Sequence, residues 1–520
     1  MRENLVTVAI RPAMEDACFC MGMNYLGATT RERLALALTI VAAASLYLHN
    51  LGSQPFWLDE AVSDAVANSH GMSFVKLALG KEGYMAFYYV MLHGWLMLVS
   101  PSDFNIRLLS TIFAVGAVAA LYVLAGKLFG PAVGLAAAGL LAVNPLFLSY
   151  AQEARSYTLT VFLAIVSWSF LIESCRNPQL LNLTTYVGTT TLAIYSHNLA
   201  MLILPAQGAA LVFVQRETNA GRVRVASALC TICVLVLPLF PIAAHFYGGA
   251  GWIAATIGPP GLHSLREVAV SFAGAIAPPR IRQRPLEALF AAGFVMFLER
   301  FVTAVRRGLA EVDSYALVVS AFGLPIALLM GVSQVFPMFI VRYVLICLPF
   351  LLLMIAAGWV SCSQRWVAAV GLTLLVLLSL WSDRSYYSNS SKPDWRKAIE
   401  YITDNAHYGD KLAFDPAYGR IEFDHNFRRF AGGTTQLTII YPQWNSTFEV
   451  GGQYMGSSVL MTKALNTFYE RLWIVQFHST GDGTELLLNR LIAKYPVVLR
   501  KEFHYMGSSG FSVIFCGSHR

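Results

Sequence analysis

Apolar runs near or above the roughly 17–20 residues that span a bilayer recur along the chain, with short polar breaks between them. They fall at 34–51, 107–128, 131–150, 157–174, 182–198, 199–215, 224–247, 286–304, 315–336, 338–360 and 365–382. The pattern predicts an α-helical multi-pass membrane protein with about 11–13 transmembrane helices. A shorter run, 84–99, contains His93 and Gly94 and predicts a re-entrant or interfacial helix. After Trp381 the character changes. Strand-like runs at Lys411–Phe414, Leu437–Tyr441, Leu472–Phe477, Val497–Phe503 and Phe511–Phe515 alternate with helix-like stretches at Trp395–Asn405 and Glu485–Lys494. The division is therefore a tail over 1–30, a membrane domain over 31–384 with a first loop at 52–106, and a soluble α/β domain over 385–520.

Basic residues orient this layout. Arg31 and Arg33 precede the first span, and Arg216–Arg224, Arg300–Arg307 and Arg365 mark later loops. The positive-inside rule puts these in the cytoplasm, and the first loop and C-terminal domain outside, provided 84–99 does not cross. Residues 1–30 lack a cleavable-signal pattern, so the first span is expected to stay as an anchor in the cytoplasmic membrane.

Composition sharpens this picture. The chain is 56% hydrophobic and 13% charged, with a mean hydropathy of +0.55, against about one-quarter charged in soluble proteins. Its net charge of +7 suits cytoplasmic loops and anionic headgroups. No Lys/Arg run with interleaved aromatics argues for nucleic acid. The eight cysteines are scattered, and the lone pair Cys230/Cys233 sits in an apolar run, which reads as small core hydrophobes.

Candidate chemistry gathers at one edge. Trp57-Leu58-Asp59-Glu60 follows the first span, and carboxylates are costly beside hydrocarbon. As bland alternatives, Asp59 and Glu60 could simply favour a helix N-terminus, and Glu153 with Arg155 could be a surface ion pair. Yet Asn144-Pro145, the string Gln152-Glu153-Ala154-Arg155-Ser156-Tyr157, Tyr195-Ser196-His197-Asn198 and Arg342-Tyr343 break the apolar pattern on the same expected face. An Arg inside an apolar run needs an anion, and a phosphate suits it. The spans are nearly uncharged through their middles, which favours interfacial chemistry over conduction.

These pieces, together with Phe87-Tyr88-Tyr89, Leu92-His93, Arg107-Leu108-Leu109-Ser110, Leu348-Pro349, Asp394-Trp395-Arg396 and Gly409-Asp410, resemble a GT-C membrane glycosyltransferase. The resemblance is to the branch of protein O-mannosyltransferases, lipid A aminoarabinose transferases and galacturonosyltransferases. One departure is Gly83-Tyr84-Met85-Ala86, where relatives often carry His-Pro-Pro-Leu; Glu82 or Lys81 could compensate.

The resemblance implies inverting transfer of a sugar from a polyprenyl-phosphate donor to a hydroxyl on a glycan, lipid or protein acceptor, outside the membrane. Asp59 is then the expected base, with Glu60 orienting it or sharing the role. Arg107, Arg155 and Arg342 are expected at the donor phosphate. Trp57, Tyr88, Glu153, Tyr157, His197 and Tyr343 are expected to position substrate. No cofactor is required on this reading, although Asp59, Glu153 and His197 could supply ligands to a divalent cation. The segments around 263–285, with Pro259-Pro260, Pro278-Pro279 and the basic Arg280, Arg282 and Arg284, are expected in a mobile external loop beside the lipid chain. Asp410, Asp415 and Asp424 are expected to be solvated, and the C-terminal domain to guide the acceptor. The competing readings are a transporter or flippase of lipid-linked sugars, which needs polar groups deep in the spans, and a structural envelope subunit.

Overall fold

The computed structural model describes residues 29–213, 219–242, 258–274, 284–388, 392–415, 417–431, 437–442, 466–477, 483–505 and 508–517. The tail before Thr29 and the residues Arg280 and Arg282 lie outside these.

The first long helix, α1 (Thr30–Leu48), opens on a capping box. Thr29 Oγ1 accepts from the Glu32 amide while the Glu32 carboxylate accepts from that of Thr29. The first loop folds into α2 (Leu58–Ala67), α3 (Gly71–Lys76), a π-turn over Leu77–Lys81, a 3-10 turn over Gly83–Met85 and α4 (Ala86–Leu98). At 13 residues, about 20 Å long, α4 is too short to cross a bilayer alone.

The bundle continues with α5 (Asp103–Phe129), α6 (Pro131–Ala142), α7 (Pro145–Ala151), α8 (Tyr157–Arg176), α9 (Leu180–Ser196), α10 (Ile203–Phe213) and α11 (Asn219–Val236). It closes with α12 (Leu262–Phe272), α13 (Arg284–Arg307), α14 (Val312–Val332), a 3-10 run over Val341–Cys347, α15 (Leu348–Val360) and α16 (Arg365–Ser388). Among the described residues, six helices are long and apolar enough to cross a membrane, or seven if the bent pair α6–α7 is one span. The described parts of the apolar runs at 34–51, 182–198, 199–215 and 224–247 form shorter helices or begin with charged turns. Asn144-Pro145 makes the 63° bend: Asn144 Oδ1 caps the Phe147 amide and Pro145 takes the first helical position. Helices α13 and α15 meet at glycines, because a Cβ on Gly358 would collide with the Gly293 carbonyl. Segment 262–272, expected as loop, is helical and tied in by Asn144 Nδ2 donating to the Phe272 carbonyl (2.9 Å). Cys230 and Cys233 are free and exposed on α11, not core residues.

The C-terminal domain contains α17 (Trp395–Asn405), β1 (Lys411–Asp415), α18 (Gly419–Phe430), β2 (Thr438–Tyr441), β3 (Arg471–Phe477), α19 (Gly483–Lys494), β4 (Val498–Tyr505) and β5 (Ser508–Gly517). Its sheet runs β2-β1-β3-β5-β4, parallel across β2, β1 and β3 and antiparallel beyond. The parallel β1–β2 pair needs a crossover, which α18 provides. Trp395, Ile399, Phe423, Trp473 and Phe511 fill one face, and Leu472, Ile474, Leu491, Tyr495 and Ile514 the other. Asp410 is not solvated. It is 4% exposed and accepts from Arg471 Nε (2.8 Å) and Trp473 Nε1 (2.8 Å), locking the start of β1 to β3.

Helix α18 docks on the first loop. Asn426 Nδ2 donates to the Phe56 carbonyl (3.0 Å), and the His425 ring stacks on Phe56 at 4.2 Å between centroids. His425 Nδ1 lies 2.9 Å from Asp64 and Nε2 3.2 Å from Asp103, and Arg429 pairs with Asp103. The soluble domain and the loop bearing Asp59 therefore share one face.

Candidate active site

Asp59 and Glu60 occupy the first turn of α2, as helix-terminal acids should, but their surroundings differ. Glu60 is fully buried. It takes Arg107 Nε at 2.7 Å and Nη2 at 2.8 Å, Lys392 Nζ at 2.7 Å and the Ala154 amide at 3.0 Å. Burial pushes the carboxyl up, but the charges and hydrogen bonds of Arg107 and Lys392 outweigh it and hold Glu60 at about 2. Such a group is a poor proton acceptor at neutral pH, which removes the expected sharing of the base role.

Arg107 is equally committed. Beyond Glu60 it donates to the carbonyls of Leu51 (3.0 Å), Gln54 (2.9 Å) and Pro55 (3.3 Å), and it is 1% exposed. That corrects the expectation of a donor-phosphate ligand: Arg107 ties the first loop to α5. Lys392 was missed, because a lone lysine between serines and a proline carries no local signal.

Asp59 is open by contrast, its side chain 26% exposed. Its Oδ2 lies 3.0 Å from Arg342 Nη1 and 3.9 Å from Arg155 Nη2. Arg155 also donates to the Asp59 carbonyl (3.3 Å) and to the Tyr84 hydroxyl (3.2 Å). Arg342 lies over the Trp57 ring, 5.5 Å from its centroid. Trp57 Nε1, Arg155 Nε and Glu153 Oε2 are buried without hydrogen-bond partners among the described residues. Glu153 makes no ion pair with Arg155; burial raises it to about 7.

Aromatic rings surround the guanidiniums. Tyr157 packs on Tyr150 (4.8 Å) and on His197 (5.7 Å), which also meets Tyr343 (5.8 Å) and Tyr84 (6.2 Å). His197 Nδ1 accepts from the Leu199 amide (3.3 Å), so a neutral ring carries its proton on Nε2. A narrow cleft is lined by Arg342, Tyr157 and His197 together with Val161, Ala200, Leu345 and Ile346. It combines a cation with an apolar wall.

Tyr88 does not reach this space. It is fully buried with its hydroxyl 3.4 Å from Ser110 Oγ, so it is wall packing. Tyr84 comes instead from the very segment that departs from the His-Pro-Pro pattern. Buried Glu82 accepts from Tyr89 (3.1 Å), and burial raises its pKa. The Lys81 side chain lies outside the described atoms. Among the described residues no three His, Cys, Asp or Glu side chains converge as a metal site.

With this geometry in hand, the chain can be set beside known proteins. The family described as dolichyl-phosphate-mannose-protein mannosyltransferase matches residues 83–243. No curated protein matches the sequence. ArnT from Cupriavidus metallidurans, bound to undecaprenyl phosphate, superposes with a TM-score of 0.59 at 13% identity, over 93% of this chain and 99% of that one. The archaeal oligosaccharyltransferase AglB from Archaeoglobus fulgidus, in complex with an inhibitory peptide and a dolichol-phosphate, gives a TM-score of 0.53 at 12% identity, over 86% of this chain and 69% of that one. The fold is GT-C. Within it, Asp59, Arg155 and Arg342 come together, while Glu60 and Arg107 form a separate closed knot behind them.

Proposed function

We propose that the protein is a glycosyltransferase that moves a sugar from a polyprenyl-phosphate donor to an acceptor hydroxyl, with inversion, on the outer face of the cytoplasmic membrane. The observation that carries this reading is one partly exposed carboxylate, Asp59, within 3.0 and 3.9 Å of two guanidiniums, one of which, Arg342, also lines an apolar-walled cleft. The family match and the lipid phosphates named with AglB and ArnT support it.

In this mechanism Arg155 and Arg342 hold the donor phosphate and neutralise the charge it gains as the glycosidic bond breaks. The arriving phosphate competes with Asp59 for Arg342, which frees the carboxylate to take the acceptor proton as the new bond forms. Tyr157, Tyr343, Trp57 and Tyr84 offer ring faces and polar edges to the sugar. Glu153 and His197 position it from behind. The Lys/Arg distribution supports the outward orientation, and the soluble domain, docked on the same face, frames the acceptor side.

The test is purified protein in nanodiscs, supplied with polyprenyl-phosphate sugars and scored for release of the lipid phosphate. Release that depends on Asp59 is expected. Lipid movement across the bilayer with no release would instead identify a flippase.

A further inference from the structure

At the far end of the bundle from Asp59 lies a second cavity, of about 290 Å³, set among the ends of α5, α8, α10 and α14. Its apolar wall includes Leu128, Leu211 and Leu317, and its polar lining includes Arg176, Asp313 and Ser314. Helix α8 starts at Tyr157, two residues after Arg155, and ends at Arg176. Its 20 residues rise about 30 Å, the thickness of a bilayer's hydrocarbon core. Three of the helices that meet here, α5, α8 and α14, are long and apolar enough to cross a membrane. The cavity therefore sits at headgroup depth, on the bilayer face opposite the reaction site.

Its charges differ from those beside it. Lys127 and Glu173, flanking the cavity on α5 and α8, pair at 3.3 Å. Arg176 and Asp313 pair neither with each other nor with any other described residue, and Ser314 Oγ makes no hydrogen bond among the described residues. Arg176 in the last turn of α8 and Asp313 in the first turn of α14 each suit a helix end. Helix dipoles, however, do not bring opposite charges to one small space and leave them apart. That arrangement fits a ligand carrying both charges itself. Ligand sites run from roughly 300 to 1,000 Å³, so this volume suits a headgroup rather than a whole lipid, and the leucines offer an apolar surface to its first methylenes.

We propose that this cavity binds a zwitterionic phospholipid with a primary amine, of the phosphatidylethanolamine type. The phosphate lies on the Arg176 guanidinium, which can give it two parallel N–H donors, with the Ser314 hydroxyl as a further donor. The ammonium donates to the Asp313 carboxylate. A choline headgroup has the same charges but no N–H, and a glycerol headgroup has hydroxyls but no cation, so the two side chains together select the amine. The site is separate from the proposed transfer reaction, because none of the side chains lining it is a partner of Asp59, Arg155 or Arg342.

The test is a native mass spectrometry titration of the full chain in detergent with short-chain phosphatidylethanolamine, phosphatidylcholine and phosphatidylglycerol. It compares wild type with Asp313→Asn and Arg176→Gln. Neither side chain is buried, so neither substitution opens the core. Wild type is expected to hold the ethanolamine lipid about tenfold more tightly than the other two, the share of one charge-assisted contact. Asp313→Asn is expected to bring the ethanolamine and choline lipids within about twofold of each other. Arg176→Gln is expected to weaken all three about tenfold and keep their order, since each carries the phosphate. Equal retention of the three lipids by wild type overturns the proposal. So does a preference for the amine that survives Asp313→Asn, or binding untouched by Arg176→Gln; the lipid would then sit elsewhere, and the charges would serve only their helix ends.

Discussion

Asp59 and Glu60 are neighbours of the same charge, one residue apart on one helical turn, and they do opposite work. Glu60 faces a closed knot of two cations and a backbone amide. Asp59 is partly exposed, and its cationic partners are more distant or partly exposed themselves. The same split runs through the arginines: Arg107 spends its donors on carbonyls and Glu60, whereas Arg155 Nε has no partner among the described residues. In a membrane-edge site, charge marks the region, but unused valence marks the chemistry. A saturated buried ion pair supports geometry. A half-satisfied, reachable one is poised to exchange partners.

Asp59→Asn attacks the open side and carries the largest expected effect, a loss of transfer of about 10³-fold, typical of a missing general base. Melting should move by only a few degrees; residual turnover near the wild-type rate would reject the assignment. Glu60→Gln attacks the closed side. It leaves Arg107 and Lys392 buried against a neutral partner, and a cost of about 3–5 kcal/mol is expected, read by thermal melting in a single detergent. A melt within a few degrees of wild type would show that the knot is dispensable.

Glu153 and Glu60 also split by pH. Glu60, held at about 2, contributes stability that is present above its unfolded value near 4.5 and is lost as pH falls from there toward 2. Glu153, raised to about 7 by burial, binds protons more readily folded than unfolded. Stability therefore falls as pH rises from about 4.5 to 7, by on the order of 1–3 kcal/mol. Glu153→Gln should flatten that slope and leave the acid limb intact; melting between pH 3 and 8, against wild type, checks both. The smallest effect is on binding. Arg342→Gln should weaken undecaprenyl phosphate about tenfold, the share of one charge-assisted contact, measured by native mass spectrometry titration, and an unchanged affinity would place the phosphate elsewhere.

Hydropathy made the apolar helices and the five described strands of the C-terminal domain legible, because burial imposes a period that sequence must obey. Several apolar runs are divided by a bend or a 3-10 turn, as at Asn144-Pro145 and Asn198–Leu202. Local pattern brought Asp59, Arg155, Arg342, Tyr157, His197 and Tyr343 into one list, and the structure brings them into one place. It could not separate Asp59 from Glu60 or Arg107 from Arg342, since each pair differs only in partners distant in the chain, from about fifty to over three hundred residues away. Lys392 and Tyr84 carried no local signal: their importance comes from what the fold sets beside them.

A structure of the full chain with undecaprenyl phosphate bound tests the central claim most directly. The account predicts phosphate oxygens on Arg155 and Arg342, Asp59 released from Arg342 and facing the space beyond the phosphate, and the Glu60–Arg107–Lys392 knot unmoved. A phosphate seated on Arg107 or Lys392, with Glu60 opened to solvent, would contradict it.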